Sequence, residues 1–190
     1  MENSPSVLVI GMGGVGKQRL VYRCLTNRFI DDGYLVSLED QWGHCIQING
    51  QTINTKIMLA LNSNEYEMID LNMYSRANCF IFVFSVDIYG SFKEYNSFLE
   101  RIKKYKQEKK YRIVAFANKT DLNDGHWNIE RNEYLSFFRA RGITVFETSA
   151  LKGDCVNDGF CYALTESYNL LRRESEKAKR PKPKDMCLIQ

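Results

Sequence analysis

The chain has little of what would export it, anchor it through the bilayer or staple it covalently. Its first residues, MENSPSVLVIG, carry no basic stretch and only a four-residue apolar run before the first glycine, so no secretory signal is expected there. No apolar run approaches the ~18 residues of a membrane-spanning helix. The six cysteines, Cys24, Cys45, Cys79, Cys155, Cys161 and Cys187, include no C-x-x-C pair. That spacing argues against a zinc site, and in a reducing compartment most of these thiols are expected to be small buried hydrophobes. There is no internal repeat and no interior linker. The 190 residues suit one domain, which at that size can bury a core without disulfides or metals.

Net charge is also scarce outside one segment. Residues 172–185 hold seven basic side chains against Glu174, Glu176 and Asp185, a net +4, so the rest of the chain is near −1 of the total +3. A near-neutral body with a basic tail argues against nucleic-acid binding and for a local electrostatic contact. A second basic run, KKYKQEKK at 103–110, reads as a solvated face.

Apolar runs alternating with helical periodicity predict an α/β protein with a mostly parallel sheet. Strands are expected at 7–10, 45–48, 53–59, 80–86, 113–117 and 144–147. Asn49-Gly50 joins the second and third as a hairpin, so that pair is antiparallel and the sheet mixed. The continuous runs FIFVFSV and IVAFA have the character of central strands covered on both faces. Helices are expected at 17–27, 91–104, 130–141 and 156–173.

The segment VLVIGMGGVGKQ, at residues 7–18, fits two phosphate-binding patterns. Read as G-x-G-x-x-G it supplies Gly11, Gly13 and Gly16 to a dinucleotide turn; read as G-x-x-x-x-G-K-[ST] it is a P-loop whose last residue, Gln18, departs from the pattern. The dinucleotide reading needs an acidic residue closing a second strand about twenty residues on. Asp31 and Asp32 have the distance but no strand before them. The P-loop reading accounts for Lys17, whose ammonium can meet β- and γ-phosphates while the amides of Gly13, Gly14, Val15, Gly16, Lys17 and Gln18 wrap the anion.

Two further segments decide between them. Asn118-Lys119-Thr120-Asp121 follows the strand at 113–117, and Glu147-Thr148-Ser149-Ala150 follows the strand at 144–147, both at carboxyl ends where α/β folds bind ligands. NKTD and ETSA behind GMGGVGK resemble the Ras-like small GTPases. The resemblance implies a P-loop NTPase fold with a six-stranded, mostly parallel sheet, one antiparallel strand and helices on both faces. It implies GTP or GDP as ligand, with Asp121 accepting two hydrogen bonds from guanine, Asn118 and Lys119 holding loops and base, and Ser149-Ala150 meeting the guanine oxygen. A carboxylate faces paired donors on guanine but a lone pair on adenine, a difference that such a site can convert to roughly 10⁴ in discrimination. Alone, Asp121 also fits a helix N-cap.

The resemblance extends to TNRFIDDGYLVSLEDQW, similar to the first switch loop. It places Phe29 on the base, Tyr34 and Ser37 near the γ-phosphate, and Glu39 and Asp40 at the acidic end of the loop that contacts effectors. Ser37 stands where the family has a magnesium-binding Thr. The family's D-T-A-G-Q-E falls on Leu59-Ala60-Leu61-Asn62-Ser63-Asn64, and none of the six is kept. Leu59 replaces the Asp that holds Mg²⁺ through water, Ser63 the Gln that orients the attacking water, and Gln18 the hydroxyl that binds the metal directly. No catalytic residue is therefore assigned, and Mg²⁺ is expected to bind weakly or not at all.

The sequence ends Cys187-Leu188-Ile189-Gln190, a C-a-a-X pattern in which Gln favours farnesylation of Cys187. With the basic segment as second signal, it implies attachment to the cytoplasmic face of the plasma membrane or an endomembrane. The chain divides into a Ras-like domain, 1–171, and a basic flexible tail, 172–190. Three readings stand: a membrane-anchored nucleotide-binding signalling protein with impaired hydrolysis and effector and regulator partners; a working GTPase, if Glu39 or Asp40 approached the metal; and an interaction scaffold that binds no nucleotide.

Overall fold

The computed structural model describes residues 4–30, 41–60, 67–107 and 109–179. Within them, six strands form one sheet in the order β2-β3-β1-β4-β5-β6, from β1 (Ser6–Ile10), β2 (Gln41–Ile48), β3 (Gln51–Leu59), β4 (Cys79–Ser85), β5 (Arg112–Asn118) and β6 (Thr144–Glu147). Only β2 and β3 run antiparallel, turning at Asn49 and Gly50, both with positive φ. The helices are α1 (Lys17–Thr26), α2 (Glu67–Arg76), α3 (Tyr89–Lys93), α4 (Tyr95–Lys106), α5 (Arg131–Arg139) and α6 (Val156–Lys179).

Side-chain alternation along the central strands builds two cores. Val7 and Val9 of β1, Ile81 and Val83 of β4 and Val114 and Phe116 of β5 meet Leu20 and Val21 of α1 and Phe160 and Leu164 of α6. Leu8, Ile10, Phe80, Phe82 and Phe84 face the other way, onto Tyr74 of α2, Phe92 of α3, Phe98 and Ile102 of α4 and Phe138 of α5. Burying a side chain of this size contributes about 1.5–3 kcal/mol. The sheet is thus a doubly covered layer, and all its parallel strands end at one edge.

Four expectations are corrected. The helix expected over 91–104 is two, because Glu94 between α3 and α4 has ψ −9 rather than a full helical value. The lysine run is not uniformly solvated: Lys106 is 2% exposed. Its Nζ donates to the carbonyls of Ser75 (3.2 Å) and Ala77 (2.5 Å) at the end of α2, and burial pushes its ammonium down to about 8. Among the described residues the thiols are not mostly buried: Cys45, Cys155 and Cys161 are exposed, Cys24 is half-buried and only Cys79 is fully buried. Cys45 lies on the edge hairpin, where its Sγ donates to Asn54 Oδ1 at 3.2 Å. The last helix also runs beyond 173, to Lys179, so the basic segment begins on α6.

Cys79 gives a pH signature. Burial, with Glu166 adding to it, holds its thiol well above the ordinary 9.0. Below pH 9 both states keep the proton; above it the unfolded chain ionises while the folded one does not, so stability falls by about 1.4 kcal/mol per pH unit for this thiol. Lys106 acts in the opposite sense between about 8 and 10.5, which makes the comparison with Cys79→Val the informative one. Denaturant titrations at pH 8 to 10.5 should show a shallower loss in the variant; identical slopes would contradict it.

Candidate functional site

β1 ends at Ile10 between β3 and β4, the point of the sheet order where connections diverge and ligands settle in α/β folds. Gly11 follows at φ +146, and a Cβ there would stand 2.1 Å from the carbonyl oxygen of Val83 on β4, so no side chain fits. Val15 is fully buried in the core, which presents its backbone rather than its side chain to the loop. Gly16 precedes α1 at φ +93, where a Cβ would meet Asn118 Nδ2 at 2.5 Å. Gly13 and Gly14 have open space around them. Lys17 Nζ donates to the carbonyls of Gly11 (2.8 Å) and Met12 (2.9 Å), so the loop itself holds the ammonium over its mouth.

Asn118, 1% exposed, joins this loop to the next two. Its Nδ2 donates to the Val15 carbonyl at 2.8 Å, and its Oδ1 accepts from the Ala150 N–H at 3.2 Å and the Thr148 hydroxyl at 3.4 Å. Thr120 donates to the Thr148 carbonyl through both N–H and hydroxyl. Ser149 Oγ donates to Asp121 Oδ1 at 2.6 Å and accepts from the Lys152 N–H at 2.9 Å, fixing the plane of the Asp121 carboxylate. Phosphate loop, Asn118-Asp121 and Ser149-Ala150 therefore sit together at one edge of the sheet. Asp121 does not open a helix: α5 begins ten residues later, at Arg131.

Lys119 has a positive φ of 65, and its Nζ pairs with Asp87 Oδ2 at 3.0 Å. Burial pushes Asp87 up, but hydrogen bonds from the Ser85 hydroxyl and the Lys119 ammonium outweigh it and hold the carboxyl below its usual range. Nothing in the sequence around FSVDIY marks Asp87 for this role. Glu147 of the ETSA segment is held by α5. Arg131 grips it with two 2.6 Å hydrogen bonds and Tyr134 adds a third, holding its carboxyl below the ordinary range despite partial burial. It is a strut between α5 and β6.

Phe29 is half-buried and packs on the α1 side of the sheet, with the Arg19 guanidinium 5.3 Å from its ring centroid. Gln18 is exposed on the first turn of α1. Leu59, paired with Val9 at the end of β3, is 2% exposed and belongs to the apolar layer beneath the phosphate loop. A buried alkyl chain and a primary amide thus occupy the two positions at which the family resemblance expects a carboxylate and a hydroxyl for magnesium. No group of three or more His, Cys, Asp or Glu gathers among the described residues. Tyr34, Ser37, Glu39, Asp40, Ser63 and Cys187 lie outside the described residues.

A glycine loop tipped by a lysine, opening a helix at the centre of a mixed sheet with base-recognition loops beside it, defines a P-loop guanine-nucleotide-binding protein. The family model described as Ras family matches residues 6–169, and the chain belongs to that family. Its members are small GTP-binding proteins that take GTP and GDP, typically with Mg²⁺, and engage regulators and effectors.

Proposed function

We propose that this chain is a Ras-type signalling protein that retains guanine nucleotide through its phosphate loop and base loops, depends little on magnesium and hydrolyses GTP poorly. The observation that carries this reading is Leu59, buried in the apolar layer at the strand end where the family resemblance expects the magnesium-linked Asp. Phosphoryl transfer rests on positioning and on neutralising charge. Among the described residues, what serves that here is the loop amides, Lys17 held over the loop by Gly11 and Met12, and Asn118 tying the loop to the base side. These groups bind and orient; none of them is placed to orient water.

Titration calorimetry with GDP in Mg²⁺ and again in EDTA tests the metal half. The affinity is expected to change by less than about tenfold, or 1.4 kcal/mol. Single-turnover hydrolysis is expected to stay below the roughly 10⁻⁴ s⁻¹ typical of an unassisted Ras protein. A large metal-dependent gain, or hydrolysis at that rate, overturns the reading. One feature favours a partner-assisted GTPase instead: the open space at Gly13 leaves room for an arginine from an activating protein.

Cys187 and the basic segment support the further proposal that the protein is farnesylated and held on a cytoplasmic membrane face, the lipid and basic charge each supplying part of the affinity. Cys187→Ser should move the protein from the membrane to the soluble fraction of cells. Unchanged fractionation would refute the anchor.

A further inference from the structure

Arg23 lies in the last turn of α1, half-buried, on no motif of the nucleotide site. Its guanidinium donates through Nε to the Ala150 carbonyl at 2.9 Å, through Nη2 to the Leu151 carbonyl, and through Nη1 to the Asn27 carbonyl at 3.1 Å. The planar group rests against Gly153, where φ is +90 and a Cβ would stand 3.5–3.6 Å from Nε, Cδ and Cζ. Only Arg offers a rigid fork of donors able to serve carbonyls on two chain segments at once; a lysine ammonium is a single point of charge.

These bonds close a ring. Val15 of the phosphate loop is held by Asn118, and Asn118 holds the Ala150 N–H. The Ala150 carbonyl is held by Arg23, and Arg23 belongs to the helix that starts at Lys17, directly after the phosphate loop. Asn27, two residues before Phe29, is drawn into the same ring. The base loop is thus tied from both sides, through its amide by Asn118 and through its carbonyls by Arg23.

We propose that Arg23 is a positioning residue of the base half of the site, keeping the Ser149–Ala150 loop and the approach to Phe29 in register so that bound guanine is released slowly. It touches no ligand atom; it acts through Ala150. The proposal rests on the guanine-nucleotide reading above. In a chain without good magnesium ligands, the rigidity of the base loop carries a larger share of nucleotide retention than it would beside a bound metal.

The test compares wild type with Arg23→Met, which keeps the stem and removes the fork, and Arg23→Lys, which keeps the charge. Release of a fluorescent GDP analogue, chased with unlabelled GDP, is expected to be roughly tenfold faster in Arg23→Met, the effect of losing about one charge-assisted hydrogen bond, and intermediate in Arg23→Lys. Amide exchange at residues 149–153 should rise. The ratio of GDP to GMP affinity should match wild type, because the phosphate cradle is untouched. General loss of fold scales GDP and GMP affinity alike and raises amide exchange along the whole chain rather than at residues 149–153; that pattern overturns the proposal, as does wild-type release in Arg23→Met. A wild-type chain that binds neither nucleotide overturns the functional reading and this one together; tight wild-type binding with unaltered release in the variant removes only the role of Arg23.

Discussion

Asp121→Asn is expected to abolish the preference for guanine, lowering GDP affinity by roughly 10⁴, and to create one for xanthine. The carboxylate presents acceptors to the N1–H and amino group of guanine. An amide presents one acceptor and one donor, which suits xanthine, where a carbonyl stands in place of the amino group. The orientation is already imposed: Ser149 Oγ engages Oδ1 at 2.6 Å and is itself held by the Lys152 N–H. Because Asp121 is half-buried and its neighbours remain bonded to one another, the fold should survive the change. Competition of GDP against XDP measures it. If the variant kept its guanine preference, Asp121 would not be the base-reading group and the nucleotide assignment would have to be withdrawn.

Asn118→Ala should damage the fold and the site together. The side chain serves the Val15 carbonyl, the Ala150 N–H and the Thr148 hydroxyl inside the protein. A buried group left without its partner costs about 1–3 kcal/mol, so the sum lies near 2–5 kcal/mol and the unfolding temperature should fall by roughly 5–15 °C. No nucleotide should copurify. Asn118→Asp, nearly isosteric, turns an oxygen toward the Val15 carbonyl and should bind no better. A fall of less than about 2 °C with nucleotide retained would mean that the three loops hold together without Asn118.

Much of the fold was legible because it rests on local signals. The runs around Phe80 and Ile113 are apolar on both faces since both faces are covered, and Asn49-Gly50 marks the hairpin by its backbone preference. Helix α2 escaped notice because the apolar residues of the sequence EMIDLNMYSR are not spaced as a single helical stripe. Lys106 could not be told from its neighbours in KKYKQEKK. Whether a lysine in such a run meets water or the end of another helix depends on the packing of α2 against α4. The site divides in the same way. Glycine spacing, NKTD and ETSA are contiguous patterns and can be read directly, whereas Asp87 opposite Lys119 and Arg23 opposite Ala150 join residues 32 and 127 positions apart. Such pairs exist only once the sheet has brought its loops to one edge.

The arrangement around the base loops also gives the molecule a built-in optical probe. The chain has only two tryptophans. Trp42 is half-buried on the edge strand β2, while the Trp127 indole donates to the Leu122 carbonyl at 2.9 Å, one residue from Asp121. The neighbouring Asn128 is fastened to the Val86 and Asp87 carbonyls, so the indole shares a scaffold with the Lys119 counter-ion. Emission from Trp127 is therefore expected to follow the peptide that carries Asp121, whereas Trp42 reports from the strand that follows the switch-like loop, on the other face of the sheet. Adding GDP to unlabelled protein is expected to change its tryptophan emission.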